Sequence, residues 1–266
     1  MADSVYISKN LNAEQLRFMK LLETHEILYF DMNDIESRFG HSFKNLNEIL
    51  ENLTAKGVLV RIERGIYVLN NYHNIRALAT FSCAGSAIAY WSALHHHGLT
   101  ERFSNTVFVK TTRRKRETEI LGTAVKYVTV KENKHLGITK EGYGDDSFSV
   151  TDVAMTLVDC FDQPRYGGDF PDLIKAFAHA RLTNKKLIEY TKAYQNTALT
   201  KRLGYLAELF HADSLRSFIQ YAQKQVNNKY NVMDAGGVDE GSFVRRWKIR
   251  LNVSEERLLD MAQNQY

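Results

Sequence analysis

The amino-acid sequence predicts a protein of the α+β class. Near the N-terminus, three helical segments precede one β-hairpin, which is the order of elements in a winged helix-turn-helix. Further along, helical segments and short strands follow in mixed order. A chain of 266 residues is long enough for two domains. We therefore expect an N-terminal winged helix-turn-helix over residues 1–72 and a larger mixed α+β domain over residues 73–266.

The first two helices are predicted from apolar spacing and from one glycine. Residues 11–23 place Leu16, Met19 and Leu22 three apart, as an amphipathic helix requires. Residues 32–40 read as a second, shorter helix. Gly40 ends it, because glycine adopts the left-handed backbone conformation at a helix end without strain.

The third helix and the hairpin complete the N-terminal pattern. An apolar stripe from Phe43 to Leu53 predicts a helix that ends near Lys56 before Gly57, with Ser42 as its N-cap. Residues 58–69 then alternate apolar and polar side chains on both sides of Glu63-Arg64-Gly65, which predicts a hairpin with Arg-Gly at its tip.

The second part of the chain is predicted as a mixture of helices and strands. Residues 84–99 form a helix closed by Gly98, and a helix over residues 152–161 ends before Pro164. Strands are expected at residues 106–110, 124–130, 147–150 and 245–253. Further helices are expected at residues 171–182, 184–195 and 198–224, and the last one begins at Ser254 as its N-cap.

The composition excludes several classes of protein. Apolar residues make up 44% of the chain and charged residues 25%, as in ordinary globular proteins. No stretch approaches the roughly eighteen apolar residues that span a bilayer, and the N-terminus lacks the pattern of a secretion signal. Cys83 and Cys160 stand alone, which argues against a disulfide framework and a zinc site. We expect a cytoplasmic protein with no membrane contact, no cofactor and no metal.

The charge distribution places the basic character in the second part of the chain. The net charge is +4, but residues 1–75 hold 8 Lys/Arg against 10 Asp/Glu, leaving 27 against 21 for the remainder. A mild excess of this size fits either nucleic acid or an acidic protein as a partner.

A winged helix of this kind predicts contacts to double-stranded DNA. The N-terminal residues of the third helix face base edges in the major groove, and the hairpin approaches phosphates. The predicted DNA-binding residues are Ser42, Lys44, Asn45 and Asn47 at the helix, with Arg61 and Arg64 on the hairpin. Glu48 and Glu51 share the exposed helix face, so a purely protein-binding winged helix is the alternative.

A basic segment follows the strand at residues 106–110. Arg113, Arg114, Lys115 and Arg116 are four consecutive cations that stand close to Lys110. Like charges at this density repel one another unless an anion is near, so we expect all five to contact phosphate or an acidic partner.

Two further patterns have some of the features of catalytic or metal sites. His95, His96 and His97 are consecutive, and residues that are 100° apart on a helix do not converge on one ion. Glu132-Asn133-Lys134 has the Glu-x-Lys spacing of metal-dependent nucleases but lacks an upstream aspartate on a neighbouring strand. We therefore predict no catalytic residues and no enzyme, and keep a metal-dependent nuclease as the alternative.

Five segments of the chain carry a family resemblance: AYWSALHHHGLTE (89–101), VFVKTTRRKR (107–116), DVAMTLVDCFDQPRYGGD (152–169), RLGYLAEL (202–209) and WKIRLNV (247–253). Taken in order, they resemble the AbiEi-type antitoxins and viral-defence transcriptional regulators of type IV toxin-antitoxin systems. Together they span residues 89–253, whereas the N-terminal third is similar in pattern more than in letters.

The resemblance implies a division of labour between the two parts. An N-terminal winged helix binds operator repeats in the protein's own promoter as a repressor. The C-terminal domain opposes a nucleotidyltransferase-type toxin encoded beside it, as part of abortive infection and phage defence. The basic segment then faces either DNA phosphates or the toxin. In this context the nuclease alternative is a metal-dependent nuclease of phage defence, and a regulator that acts without a toxin is a further alternative.

Overall fold

The computed structural model describes residues 10–263 and shows a mixed α+β fold. Within those residues there are twelve α-helices and three β-sheets. The N-terminal elements are α1 (Ala13–Thr24), β1 (Tyr29–Asp31), α2 (Met32–Phe39), α3 (Leu46–Ala55), β2 (Leu59–Glu63) and β3 (Ile66–Leu69). The central elements are α4 (Ile75–Phe81), β4 (Ala87–Ile88), α5 (Tyr90–His96), β5 (Thr106–Thr111), β6 (Thr118–Ile120), β7 (Thr123–Thr129), β8 (Ile138–Glu141) and β9 (Phe148–Thr151). The remaining elements are α6 (Val153–Asp162), α7 (Pro164–Gly167), α8 (Phe170–His179), α9 (Asn184–Tyr194), α10 (Thr197–His211), α11 (Arg216–Lys224), β10 (Asn231–Val232), β11 (Ser242–Val244), β12 (Ile249–Leu251) and α12 (Glu255–Gln263).

The first two helices form where the sequence predicts them. Asn12 caps α1 by accepting from the backbone N–H of Gln15, whose side chain accepts in turn from the N–H of Asn12. Gly40 ends α2 in the left-handed conformation at φ 60°, which confirms the predicted stop.

The start of α3 differs from the prediction. The helix begins at Leu46, and its N-cap is Asn45 rather than Ser42. The cause is Phe43, whose side chain is buried and whose backbone N–H donates to the Glu36 carboxylate at 2.6 Å. This anchors residues 43–45 outside the helix, and Ser42 is left exposed.

The predicted hairpin is present as β2 and β3, with Gly65 at its tip at φ 81°. The strand β1, which apolar spacing did not indicate, pairs with β3 and gives an antiparallel sheet of order β1-β3-β2. The Met32 N–H donates to the Gly65 carbonyl at 2.8 Å, so the hairpin tip is held at the N-terminus of α2.

A mixed six-stranded sheet of order β6-β7-β5-β4-β9-β8 lies at the centre of the structure. The predicted strands at 106–110, 124–130 and 147–150 are confirmed as β5, β7 and β9. The helix predicted over 84–99 is shorter, because Ala87 and Ile88 form β4 between β5 and β9 before α5 begins. Both residues are fully buried, so their apolar character fits a central strand as well as a helix.

Helices α6–α12 pack beside this sheet around a third, small sheet of order β10-β12-β11. The helix predicted over 198–224 is two helices, α10 and α11, separated by a turn at residues 212–215. Ser254 is the predicted cap of α12, and its hydroxyl accepts from the Arg257 N–H at 3.3 Å, which confirms it.

The apolar core continues from the N-terminal segment into the central sheet. Phe18, Leu50 and Leu53 belong to a cluster formed by α1–α3 and β1–β3. Tyr29 and Val68 instead pack in the same cluster as the central-sheet strands β4 and β5. No helix among residues 10–263 has the length and apolar character required to cross a bilayer.

Candidate nucleic-acid interface

The β2–β3 hairpin carries two of the predicted DNA-binding residues, Arg61 in β2 and Arg64 at the tip. Arg61 and Arg64 are both exposed. The Arg61 Nε donates to the Glu63 carbonyl at 3.3 Å, which holds its side chain along the hairpin. Gly65 supplies the positive φ that the tight turn requires.

The basic segment at residues 113–116 is fixed directly beside this tip. Lys115 Nζ lies 2.7 Å from Oε2 of Glu63 and also donates to the Ser82 carbonyl at 2.7 Å. It lies 4.9 Å from the centre of the Tyr127 ring. Lys115 is therefore an anchor, and the arginines on both sides of it point to solvent.

The structure thus brings hairpin and basic segment together into one surface, which we call the basic face. It consists of five exposed arginines, Arg61, Arg64, Arg113, Arg114 and Arg116. Apart from the Arg61 bond, their side chains have no hydrogen bond or ion pair to any residue in the described part of the chain. Glu63, the carboxylate at the hairpin tip, is already paired with Lys115. The basic face is therefore an uncompensated patch of positive charge.

The DNA-binding residues predicted at the start of α3 are exposed but do not belong to the basic face. Ser42, Lys44 and Asn45 line a cleft of about 430 Å³ together with residues of α1, including Arg17. Asn47 is exposed next to this cleft on the first turn of α3. Glu48 also lines the cleft, so its potential is mixed rather than basic.

Lys110 corrects one sequence-based prediction. Its side chain is fully buried, and its Nζ donates to both carboxylate oxygens of Asp159 at 2.8 Å and contacts the Tyr194 hydroxyl at 3.0 Å. Burial lowers the pKa of Lys110 and raises the pKa of Asp159, and their mutual attraction offsets part of this effect. Lys110 therefore holds β5 to α6 and does not reach a phosphate.

The histidines are arranged differently from the sequence-based expectation that they do not converge. Because α5 ends at His96, the side chains of His96 and His97 approach Glu141, and one ligand atom from each lies within 4.8 Å of the others. His96 Nε2 is 2.5 Å from the Glu141 carboxylate, whereas two ligands of a tetrahedral zinc ion lie ~3.3 Å apart. The separation is that of a charge-assisted hydrogen bond.

The Glu-x-Lys pattern lies on a single 3₁₀ turn after β7. Lys134 Nζ donates to Asp162 at 2.7 Å and lies 4.5 Å from the centre of the Tyr194 ring, while Glu132 is exposed. Within residues 10–263, Glu132 does not converge with two further carboxylate, histidine or cysteine ligands. The lysine therefore links β7 to α6.

No local pattern in the sequence indicates the three contacts that anchor Lys115. They are made by Glu63, Ser82 and Tyr127, and the sequence did not predict them. Glu63 and Ser82 are 52 and 33 residues away from Lys115. They meet it only because the sheet positions the hairpin tip, the end of α4 and β7 around it.

The fold is similar to one known from crystallography. The crystal structure of the RV2827C protein from Mycobacterium tuberculosis matches with a TM-score of 0.68, covering 99% of both chains at 13% sequence identity. At this identity the likeness shows a shared fold. No protein-family model and no curated protein matches the chain.

Proposed function

We propose that the protein is a DNA-binding transcriptional regulator that represses its own operon and acts as the antitoxin of a type IV toxin-antitoxin system. Residues 1–72 are proposed as a winged helix-turn-helix and residues 73–266 as the antitoxin domain. The order α1-β1-α2-α3-β2-β3 and the antiparallel β1-β3-β2 sheet support the winged helix.

The observation that carries DNA binding is the basic face. Five arginines from two segments lie on one surface with no carboxylate partner in the described chain. Guanidinium groups bind phosphate oxygens in a bidentate manner, and this contact relieves their mutual repulsion. The basic face therefore supplies affinity that does not depend on base sequence.

Sequence recognition is assigned to the start of α3. Lys44, Asn45 and Asn47 are exposed there, and asparagine pairs with adenine through two hydrogen bonds in the major groove. Asn45 is free for this role, because its side chain makes no capping hydrogen bond.

The antitoxin activity rests on the resemblance of residues 89–253 to the AbiEi-type antitoxins. The structure gives one of those segments, residues 107–116, two separate roles. Lys110, in its strand half, is buried, and Arg113, Arg114 and Arg116 at its end belong to the basic face, with Lys115 as their anchor. The partner is a nucleotidyltransferase-type toxin, opposed either in a complex or through a shared target.

Binding to labelled duplexes tests the regulatory function. Fluorescence anisotropy compares a duplex from the region upstream of the gene with a scrambled duplex of equal length and composition. The proposal expects at least 10³-fold tighter binding to the upstream duplex at physiological salt, the lower end for specific regulators. Equal affinity for the two duplexes contradicts it.

Growth of cells that express the neighbouring toxin tests the antitoxin function. The full chain is used, because Tyr29 and Val68 share a core with the central sheet and a truncation would expose it. The proposal expects the full chain to restore growth, and a parallel pull-down separates masking in a complex from action on a shared target. A folded full chain that never restores growth contradicts the proposal.

A further inference from the structure

A cavity far along the chain from the basic face lies between α6–α8, α10 and the loop after β10. Its volume is about 350 Å³, which is within the range of small-molecule sites. Its apolar wall is formed by Phe161, Leu173 and Met233, which are almost fully buried, and by Phe170. The exposed residue Ala235 lies at the cavity in the loop after β10.

The charged residues that line this cavity are Arg165, Asp169, Asp234 and Arg202, of which only Arg202, from α10, is buried. It is 9% exposed, and its Nε donates to the Val232 carbonyl at 2.8 Å. Its two Nη atoms have no hydrogen bond and no ion pair to any described residue. An arginine has five N–H donors, so four of them are left without a protein acceptor.

The other buried cations of the structure are satisfied. Lys201, next to Arg202 in α10, donates to Asn227 and to the carbonyls of Lys229 and Lys248. Lys110 is paired with Asp159. The fold therefore supplies acceptors where a buried cation has only a structural role, and Arg202 is the exception among the three.

An unpaired guanidinium in a cavity costs free energy that an anion recovers. Burial lowers the pKa of Arg202, because desolvation outweighs the attraction of Asp234 and Asp162. A ligand that accepts from both Nη atoms would restore the interactions lost with water, while its apolar part covers the phenylalanine wall.

We propose that this cavity binds a small organic carboxylate with an apolar body, its carboxylate on the two Nη atoms of Arg202 and its body against Phe161, Phe170 and Leu173. The protein is then a regulator with a small-molecule ligand site in its second part. The class of ligand follows from the charge of the walls. Asp169 and Asp234 offset the two cations of the wall, Arg165 and Arg202, so the cavity carries no net positive charge. A singly charged carboxylate is therefore favoured over a doubly charged phosphate.

Thermal unfolding of the full chain with benzoate as the probe tests this site. Benzyl alcohol is the neutral control of the same shape, and inorganic phosphate is the control for charge without an apolar body. At about ten times its dissociation constant, benzoate is expected to raise Tm by about 3 °C in a saturable manner. Benzyl alcohol and phosphate are expected to give no saturable rise.

Two variants locate the effect. Arg202→Met removes the guanidinium, whereas Ala235→Phe leaves Arg202 in place and is designed to fill the cavity from an exposed loop position. Both are expected to abolish the benzoate shift, and Ala235→Phe keeps the test valid if Arg202→Met fails to fold. The proposal is overturned if benzoate gives no shift, if phosphate gives an equal one, or if Ala235→Phe retains the full response.

Discussion

Lys115 Nζ lies 2.7 Å from Oε2 of Glu63 and joins two segments that are 52 residues apart. The contact has an electrostatic consequence as well as a structural one. It neutralises the carboxylate at the hairpin tip, and it sets Arg113, Arg114 and Arg116 beside Arg61 and Arg64. The Lys115–Glu63 pair therefore holds the hairpin and the basic segment together against the mutual repulsion of their arginines. Its removal is expected to affect both the stability of the fold and the proposed DNA binding.

Replacement of this anchor is expected to destabilise the fold moderately. Lys115→Met leaves the Ser82 carbonyl and a half-buried Glu63 without their donor, so we expect a loss of about 1–2 kcal/mol in the free energy of unfolding. Urea denaturation measures it. The control is Lys126→Met, which breaks the exposed pair with Glu117 and is expected to leave the urea midpoint unchanged. Equal midpoints for the two variants would argue against the anchoring role.

The buried pair of Lys110 and Asp159 is expected to show a larger effect. Lys110→Met leaves Asp159 buried with only the Tyr194 hydroxyl as a nearby donor, and breaking a buried pair in this way costs about 3–5 kcal/mol. The double variant Lys110→Met/Asp159→Leu removes both charges and is expected to recover part of that loss. A single variant as stable as the wild type in urea would contradict the burial of Lys110.

Asp172 gives the stability a dependence on pH. Its Oδ2 is buried without a hydrogen bond, and desolvation raises the pKa of Asp172 above its usual 3.8 despite the nearby Arg102. The folded state therefore holds this proton more tightly, so its contribution is complete below pH 3.8 and is lost as the pH rises through the folded-state pKa. Asp172→Asn removes the charged form and is expected to raise Tm at pH 7.

The gain should vanish in acid, where wild type and Asp172→Asn carry the same charge at this position. Thermal scans at pH 3 and pH 7 measure both limits. Asp169→Asn is the matched control, because Asp169 is exposed and paired with Arg102, and its amide is not expected to stabilise the protein at pH 7. A gain for Asp172→Asn that is the same at both pH values would rule out this explanation.

Two asparagines at the start of α3 are expected to determine sequence specificity. Asn45→Ala/Asn47→Ala should weaken binding to the upstream duplex by about 2–4 kcal/mol, since one good bidentate contact contributes roughly 1–3. Binding to the scrambled duplex should hardly change. The double variant should fold normally, because the Asn45 side chain does not cap the helix.

The matched control is Asn70→Ala/Asn71→Ala, which makes the same chemical change at two exposed positions after β3. Anisotropy titrations with both duplexes compare the four affinities. If the control weakens specific binding as much as the α3 variant, α3 is not the reading helix.

Local patterns predicted most of the N-terminal elements and the longer strands. Apolar spacing and Gly40 located α1 and α2, because those signals act within a few residues. Apolar spacing did not predict β4. Its two residues are both apolar and buried between β5 and β9, so they lack the apolar–polar alternation that marks a half-buried strand. Ser42 failed as a cap because Glu36, six residues earlier, fixes the backbone of Phe43.

The composition of the basic face could be predicted only in part. The exposed arginines were identified, since a run of cations after a strand is rarely buried. Lys110 was wrongly included, because β5 lies inside the sheet and the acidic partner of Lys110, Asp159 on α6, is 49 residues away in the sequence. Arg202 gave no signal at all, since an unpaired guanidinium is recognised only from its surroundings.

The central claim is that the basic face contacts DNA phosphates, and the salt dependence of binding tests it most directly. The triple variant Arg113→Gln/Arg114→Gln/Arg116→Gln is compared with Arg181→Gln/Lys185→Gln/Lys192→Gln, which removes the same charge from exposed positions in and before α9. If each arginine contacts one phosphate, the slope of log K against log salt should flatten by about 2.7 in the first variant, at ~0.9 per contact. The second variant should keep the wild-type slope. A wild-type slope in the first variant, or equal flattening in both, would contradict the claim.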